Sequence, residues 1–369
     1  MNTVFDEKNS SNRFFLLDLL RFIACLAVIF WHYRHFYYVE PGTVIPGFLK
    51  SAQPFYRFFS FFYDYGHYGV QLFWALSGFV FFALFAGKIY AKELSARAFF
   101  TDRFSRLYPL HLLSLLSVAF LVWLLKSATG NYGIYKYNDP YHFITNLFLV
   151  PYILPGEGWS FNAPVWSLTM EMIFYIVFFL YARFAKVDLI KTPVLTLIFF
   201  FAAEYPDKLI LNPQIYRCGL FFFGGGTVFL LLRKLSEYFK IRHIYAASLV
   251  MFVMTACFFR HELPIILFLV LLFSCPIDIP KKLSAVFLFL GNLTYGVYML
   301  HITVQLSMIY VCRAFLGFNL YDHARSRVCF VVYTVLLFMI SILSYRYFEY
   351  PLKKLIRRGF APDKDGRDR

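Results

Sequence analysis

LLRFIACLAVIFWHYRHF, residues 19–36, decides the fold. It is apolar and long enough to cross a bilayer core as a helix, yet it carries Arg21 and His32, each costly in hydrocarbon. Similar runs recur to the other end of the chain. Sixty per cent of the residues are apolar and only 15% charged, a balance that soluble enzymes of this size do not show. The sequence therefore reads as all-α, a polytopic integral membrane helical bundle. Spans near 14–36, 69–87, 107–126, 166–185, 192–206, 214–232, 243–259, 263–276, 284–312 and 328–348 give about ten transmembrane helices. Two of them, 192–206 and 263–276, are short for full crossings.

The formal net charge of +15 is a question of where Lys and Arg fall. They crowd one set of alternating loops, 1–13, 88–106, 183–191, 233–242, 281–282 and 349–369, so topology accounts for the charge and nucleic acid is not the expected partner. By the positive-inside rule both termini are cytoplasmic in a multi-pass protein. Residues 1–369 form one transmembrane domain, with spans over about 14–348 and a basic cytoplasmic tail, 349–369, whose PLKKLIRR can rest on anionic membrane lipid. The 49 Phe and 28 Tyr suit interfacial belts and lipid-facing surfaces. Six Cys without a CxxC spacing argue against a metal or a disulfide framework, although Cys312 and Cys329 flank one loop. The first apolar run is long and lacks a small-residue cleavage site, so it stays as a helix. FFFGGGTVF (221–229) suits close helix packing or local unwinding, and the Pro- and Gly-rich stretch within 127–165 suits a half-inserted or surface-lying segment.

Four stretches carry polar groups that the bilayer would exclude. Arg21 and His32 are separated by ten residues, which leaves them roughly 20° apart around a helix and about 16 Å apart along it. They line one stripe at two depths, and Asp18, one turn before Arg21, can pair with it. In FFTDRFSRLYPLH (99–111), within the most basic of the short inner loops, Arg103 and Arg106 are one turn apart if helical. They are either topological anchors or a fork for phosphate oxygens. WSLTMEMIFY (166–175) places Glu171 in an apolar helix, where a carboxylate needs a cation or a proton as partner. LGNLTYGVYMLH (290–301) sets Asn292, Thr294, Tyr295, Tyr298 and His301 in one span; interhelical hydrogen bonding is the usual reason, and for His301 structural and functional readings both stand.

In this order the segments resemble the acyltransferase-3 family of integral membrane acyltransferases, over nearly the whole chain. LDLLRFIACLAVIFWH is similar to its opening helix, with a basic residue, ten intervening residues and His; GVQLFWALSGFVF to its second helix; Arg103 and Arg106 to its RxxR; WSLTMEMIFY to its Trp-Ser-Leu and Glu segment; GNLTYGVYMLH and SYRYFEYPLKKLIRR to its closing helices. The resemblance implies a protein of the bacterial inner membrane that moves an acyl group, usually acetyl, from cytoplasmic acyl-CoA to a sugar hydroxyl at the far face. Acetyl-CoA is then the co-substrate, no metal is needed, and the acceptor is a cell-surface or lipid-linked glycan. Some members carry a fused extracytoplasmic SGNH domain, which is not seen here, so a separate periplasmic partner stays open.

A thioester is already activated, so such an enzyme must position a hydroxyl, remove its proton and stabilise the oxyanion. His32 is the expected general base, with Arg21 and Glu171 as electrostatic and orienting groups. Arg103 and Arg106 are expected to hold the nucleotide phosphates of CoA, and Asp18, His301 and Tyr298 to be accessory. An acyl-histidine relay is an alternative chemistry. A secondary transporter or lipid-sugar flippase using intramembrane Arg, His and Glu is the alternative class, against which the lack of an inverted repeat counts.

Overall fold

Hydropathy and local capping together explain the helices seen in the computed structural model, which describes residues 15–151, 153, 158–206, 211–258, 262–274 and 280–360. In chain order the helices are α1 (Phe15–His32), α2 (Tyr56–Tyr65), α3 (Gly69–Leu84), α4 (Ala86–Tyr90), α5 (Ala96–Thr129), α6 (Pro140–Leu147), α7 (Val165–Phe184), α8 (Lys191–Glu204), α9 (Pro213–Tyr238), α10 (Ile241–Phe258), α11 (Glu262–Ser274), α12 (Lys281–Ala314), α13 (Leu320–His323), α14 (Arg327–Ser344) and α15 (Tyr350–Phe360). Among the described residues, eight helical runs are long and apolar enough to cross a membrane, and α11 is a shorter apolar helix. With the 14-residue α8, these reproduce the all-α bundle and both short segments read from the sequence. A two-stranded ribbon follows α1, pairing β1 (Tyr38–Glu40) with β2 (Thr43–Val44) through Tyr38 opposite Val44.

The RxxR segment is a correction: it lies in a helix, not a loop. Ser95 caps α5 by accepting from the Ala98 N–H at 3.2 Å, so the helix begins at Ala96 and carries Arg103 and Arg106 on its second and third turns. Gly130, at φ 73°, closes its far end with an N–H to the Lys126 carbonyl. The second span also begins earlier than hydropathy suggests, because Tyr56–Leu84 is one helical run whose first part, α2, is amphipathic.

α1 and α12 run side by side in the same direction. Asp18 faces Gly291, Cys25 Sγ donates to the Thr294 carbonyl at 3.4 Å, and Gln305 Nε2 donates to the His32 carbonyl at 3.0 Å. Buried in the bundle centre, α9 has 78% of its apolar window covered, against 17% for α10, which is left to lipid. The glycine run of α9 is what lets it sit there. A Cβ on Gly225 would overlap the Ala75 carbonyl of α3, and a Cβ on Gly78 of α3 would overlap the Phe222 carbonyl. In a bilayer, where lipid tails are as apolar as Leu, the van der Waals packing that such close backbone approach permits helps to drive helix association.

The segment between α5 and α7 turns inward, as its composition suggests, although 152 and 154–157 of it lie outside the described residues. Asn162 Nδ2 donates to Ser114 Oγ (2.9 Å) and to the Met299 carbonyl (3.0 Å), near the middle of α12. Cys312 and Cys329 flank one turn and are free thiols.

Candidate active site

α1 and α12 bring their polar residues into a common seam, and α3, α5 and α7 complete it. At one level Arg21, Arg103, Arg106, Glu171 and Tyr298 share the wall of a cavity of about 280 Å³, with Ser77, Tyr175 and Tyr295. The first five, together with Thr294 and Tyr295, make seven residues singled out from sequence that meet in one place. Asp18 stands behind them, its carboxylate 3.2 Å from the Arg21 guanidinium. Gly291 makes that position possible, since a Cβ there would strike the Asp18 side chain at 2.6 Å. Asp18 thus fixes which way Arg21 points.

Glu171 is answered by hydroxyls. Tyr175 donates to its Oε1 at 2.8 Å, and Ser77 donates to the same oxygen. Three guanidiniums, those of Arg21, Arg103 and Arg106, share the cavity with this carboxyl group and its donors, an arrangement suited to orienting a polar ligand. Arg103 is held by the adjacent Asp102 carboxylate and lies over Phe81 and Phe85, its guanidinium carbon 5.4 and 5.1 Å from the ring centroids. Arg106 reaches further, lining both this cavity and a second crevice of about 460 Å³ beside α15.

His32 lies at the other end of the seam, beyond the cavity, in a cluster of imidazoles. Its ring centroid is 5.0 Å from His35 and 4.9 Å from His301. A carbonyl only accepts, so His32 Nδ1, 2.9 Å from the Val28 oxygen, must carry the proton and Nε2 the lone pair. The same reasoning puts the proton of His301 on Nδ1, 2.5 Å from the Tyr298 carbonyl, and leaves its Nε2 buried with no hydrogen-bond partner among the described residues. His301 is therefore a neighbour of His32 and no independent reference for it. Tyr298 connects the two levels. Its hydroxyl donates to the Pro164 carbonyl at 3.1 Å and lies 2.7 Å from Ser167 Oγ, and its ring is 5.9 Å from that of His301.

Four participants are not marked by the sequence alone: His35, Gln305, Ser77 and Tyr175. His35, buried, hydrogen-bonds Gln305 Oε1 through Nδ1 at 2.9 Å, and the same Gln305 holds the His32 carbonyl. Its signal was in view, three residues after His32, but residues Tyr33–Tyr37 form a tighter 3₁₀ turn that changes its direction. Ser77 and Tyr175 gave no signal, since a single hydroxyl in an apolar helix usually bonds its own backbone. Among the described residues no group of three His, Cys, Asp or Glu side chains could hold a metal.

A protein-family model described as an acyltransferase domain, that of the acyltransferase-3 family, matches residues 15–346. Over 201 residues the chain is 29% identical to a Rhizobium radiobacter protein named protein 2 in picA locus, an alignment covering 52% of this chain and 92% of that protein. Over 137 residues it is 32% identical to the acyltransferase MdmB of Streptomyces mycarofaciens, covering 35% of this chain and 30% of that protein. No solved structure matches. Because the family match runs from the first residue of α1 into the turn after α14, and takes in both the cavity and the histidine cluster, the chain is a membrane acyltransferase belonging to the acyltransferase-3 family.

Proposed function

We propose that this protein is an O-acyltransferase of the bacterial inner membrane, moving an acetyl group from cytoplasmic acetyl-CoA to a hydroxyl of a cell-surface or lipid-linked glycan. One observation carries the reading: a polar seam through an apolar bundle, from Arg106 at one end past Arg21, Glu171 and Tyr298 to His32 at the other. The charged nucleotide of CoA stays at the Arg106 end while its thin pantetheine arm enters the cavity. The acceptor comes from the His32 end, where His32 is half-buried and His35 fully buried.

In the transfer, His32 Nε2 takes the hydroxyl proton as the oxygen attacks the thioester carbon. A C–O bond forms, the C–S bond breaks, and the proton passes on to the departing thiolate. Arg21, its guanidinium already fixed by Asp18, is a positive group on the cavity wall along the route of the donor. Glu171, held by Ser77 and Tyr175, orients the arm of the donor. The direct test is purified protein supplied with acetyl-CoA and a glycan mixture, scored by CoA release and by acetyl gain on a glycan in mass spectra. Glycan movement without CoA release would instead identify a transporter.

Two further results are expected. Arg103→Lys keeps the charge but loses the planar group that lies over Phe81 and Phe85, so acetyl-CoA affinity should fall about tenfold with expression unchanged. Unchanged affinity in both Arg103→Lys and Arg106→Lys would leave the two residues as topological anchors. For orientation, single cysteines at exposed Glu93 and Lys240 should resist an impermeant thiol reagent in intact cells, and one at exposed Ser51 should react. Labelling of Glu93→Cys from outside would reverse the orientation and the donor side with it.

A further inference from the structure

The second crevice holds more positive charge than topology requires. Its wall includes Arg106, Lys353, Lys354, Arg357 and Arg358 against a single lining carboxylate, Glu349. Arg357 is engaged by Asp102, which pins α15 across α5, and Glu349 bonds the Ser344 hydroxyl at 3.0 Å. Among the described residues no ion pair is found for Arg106, Lys353, Lys354 or Arg358. Like charges gathered in one concavity repel unless an anion joins them. The site is also built by a specific irregularity: between α14 and α15, Tyr345–Glu349 form a π turn, whose added residue re-aims the chain so that Tyr345, Glu349 and the basic residues of α15 face Arg106.

The crevice has an exit into the protein. Arg106 and Tyr295 line both it and the inner cavity, so the two meet at these side chains. A lipid headgroup on a flat basic face would need no such passage. The ligand class that fits is a polyphosphate joined to a long, thin, uncharged arm, with an aromatic base for Tyr345 and Tyr350, whose rings lie 6.3 Å apart at 47°.

We infer that the basic face of α15 is the phosphate-reading wall of the acyl-CoA site: Lys353, Lys354 and Arg358 bind the nucleotide phosphates of CoA, the 3′-phosphate among them, and Arg106 stands at the threshold where the arm turns inward. This rests on the acyl-CoA donor proposed above and adds to it residues from the end of the chain.

The test uses the full chain in nanodiscs of phosphatidylcholine alone, which removes anionic lipid, and measures CoA and dephospho-CoA binding by calorimetry. Wild type should prefer CoA over dephospho-CoA by about tenfold or more, and the preference should shrink with added salt. Lys353→Gln, Lys354→Gln and Arg358→Gln together should abolish it, while Lys353→Arg with Lys354→Arg, which keeps every charge, should retain it. Retention of the CoA preference in the triple glutamine variant overturns the inference. So does an equal affinity of wild type for the two ligands, a measurement that needs no variant to fold. If wild type binds CoA and turns over acetyl-CoA but α15 has no effect, only this inference falls; if it neither binds nor consumes acyl-CoA, the donor reading falls as well.

Discussion

His32→Ala is expected to lower acyl transfer by about a hundredfold or more, the usual scale for losing a positioned general base. CoA binding should survive, because the basic crevice proposed for its phosphates is at the opposite end of the seam and shares no residue with the imidazole cluster. His32→Gln sharpens the result. Its amide can still donate to the Val28 carbonyl that Nδ1 now holds at 2.9 Å, which keeps the local structure, but it cannot accept a proton at the position of Nε2. The glutamine variant should therefore be as inactive as the alanine one. Wild-type rate should rise with pH as one group deprotonates, and that limb should vanish in both variants. Since His301 touches His32, a polar reference belongs elsewhere: His243→Ala, exposed at the start of α10, should leave the rate unchanged. A folded His32→Gln protein with near wild-type transfer would remove the base assignment.

Gly225→Val is expected to have the largest effect on stability. The new Cβ would overlap the Ala75 carbonyl and lie 3.0 Å from the Phe79 nitrogen, both backbone atoms of the helix that α9 packs against. Neither can turn aside as a side chain does, so α3 and α9 must separate, at a cost of about 3 kcal/mol or more. The measurement is the thermal midpoint and monomer yield in mild detergent, both of which should drop sharply. Gly87→Ala is the comparison, because a Cβ at Gly87 meets nothing within 4 Å and its position in α4 favours Ala over Gly. Equal midpoints for the two variants would mean that the α3–α9 approach does not hold the bundle together. The pair also separates fold from chemistry: Gly225→Val loses both, His32→Ala only the second.

The contrast between these two residues marks how far the sequence could be read. Gly225 was legible, since three consecutive glycines in an apolar span have few other uses. The same holds for the spans themselves, down to the short α8 and α11. The start of α5 was not, because Thr101, Asp102, Arg103 and Arg106 break the hydropathy signal, while the signal that does mark it, Ser95 as a cap, is local and easily passed over. In sequence the α15 residues read as tail and lipid contact, and nothing in PLKKLIRR shows that a π turn before it aims the helix at Arg106.

What the sequence by itself determined is the set of membrane helices and which of them carry polar groups. Those properties are local: a helix must satisfy its own backbone in lipid, and an apolar run of sufficient length is enough to specify it. Which polar groups meet was decided only by tertiary structure. Arg21, Ser77, Arg106, Glu171 and Tyr298 come from five helices, and their shared cavity depends on how closely those helices approach, which Gly291 sets beside Asp18. The imidazole cluster is decided in the same way. His32 and His301 lie 4.9 Å apart because α1 and α12 run parallel in register, a relation that no spacing within either helix contains.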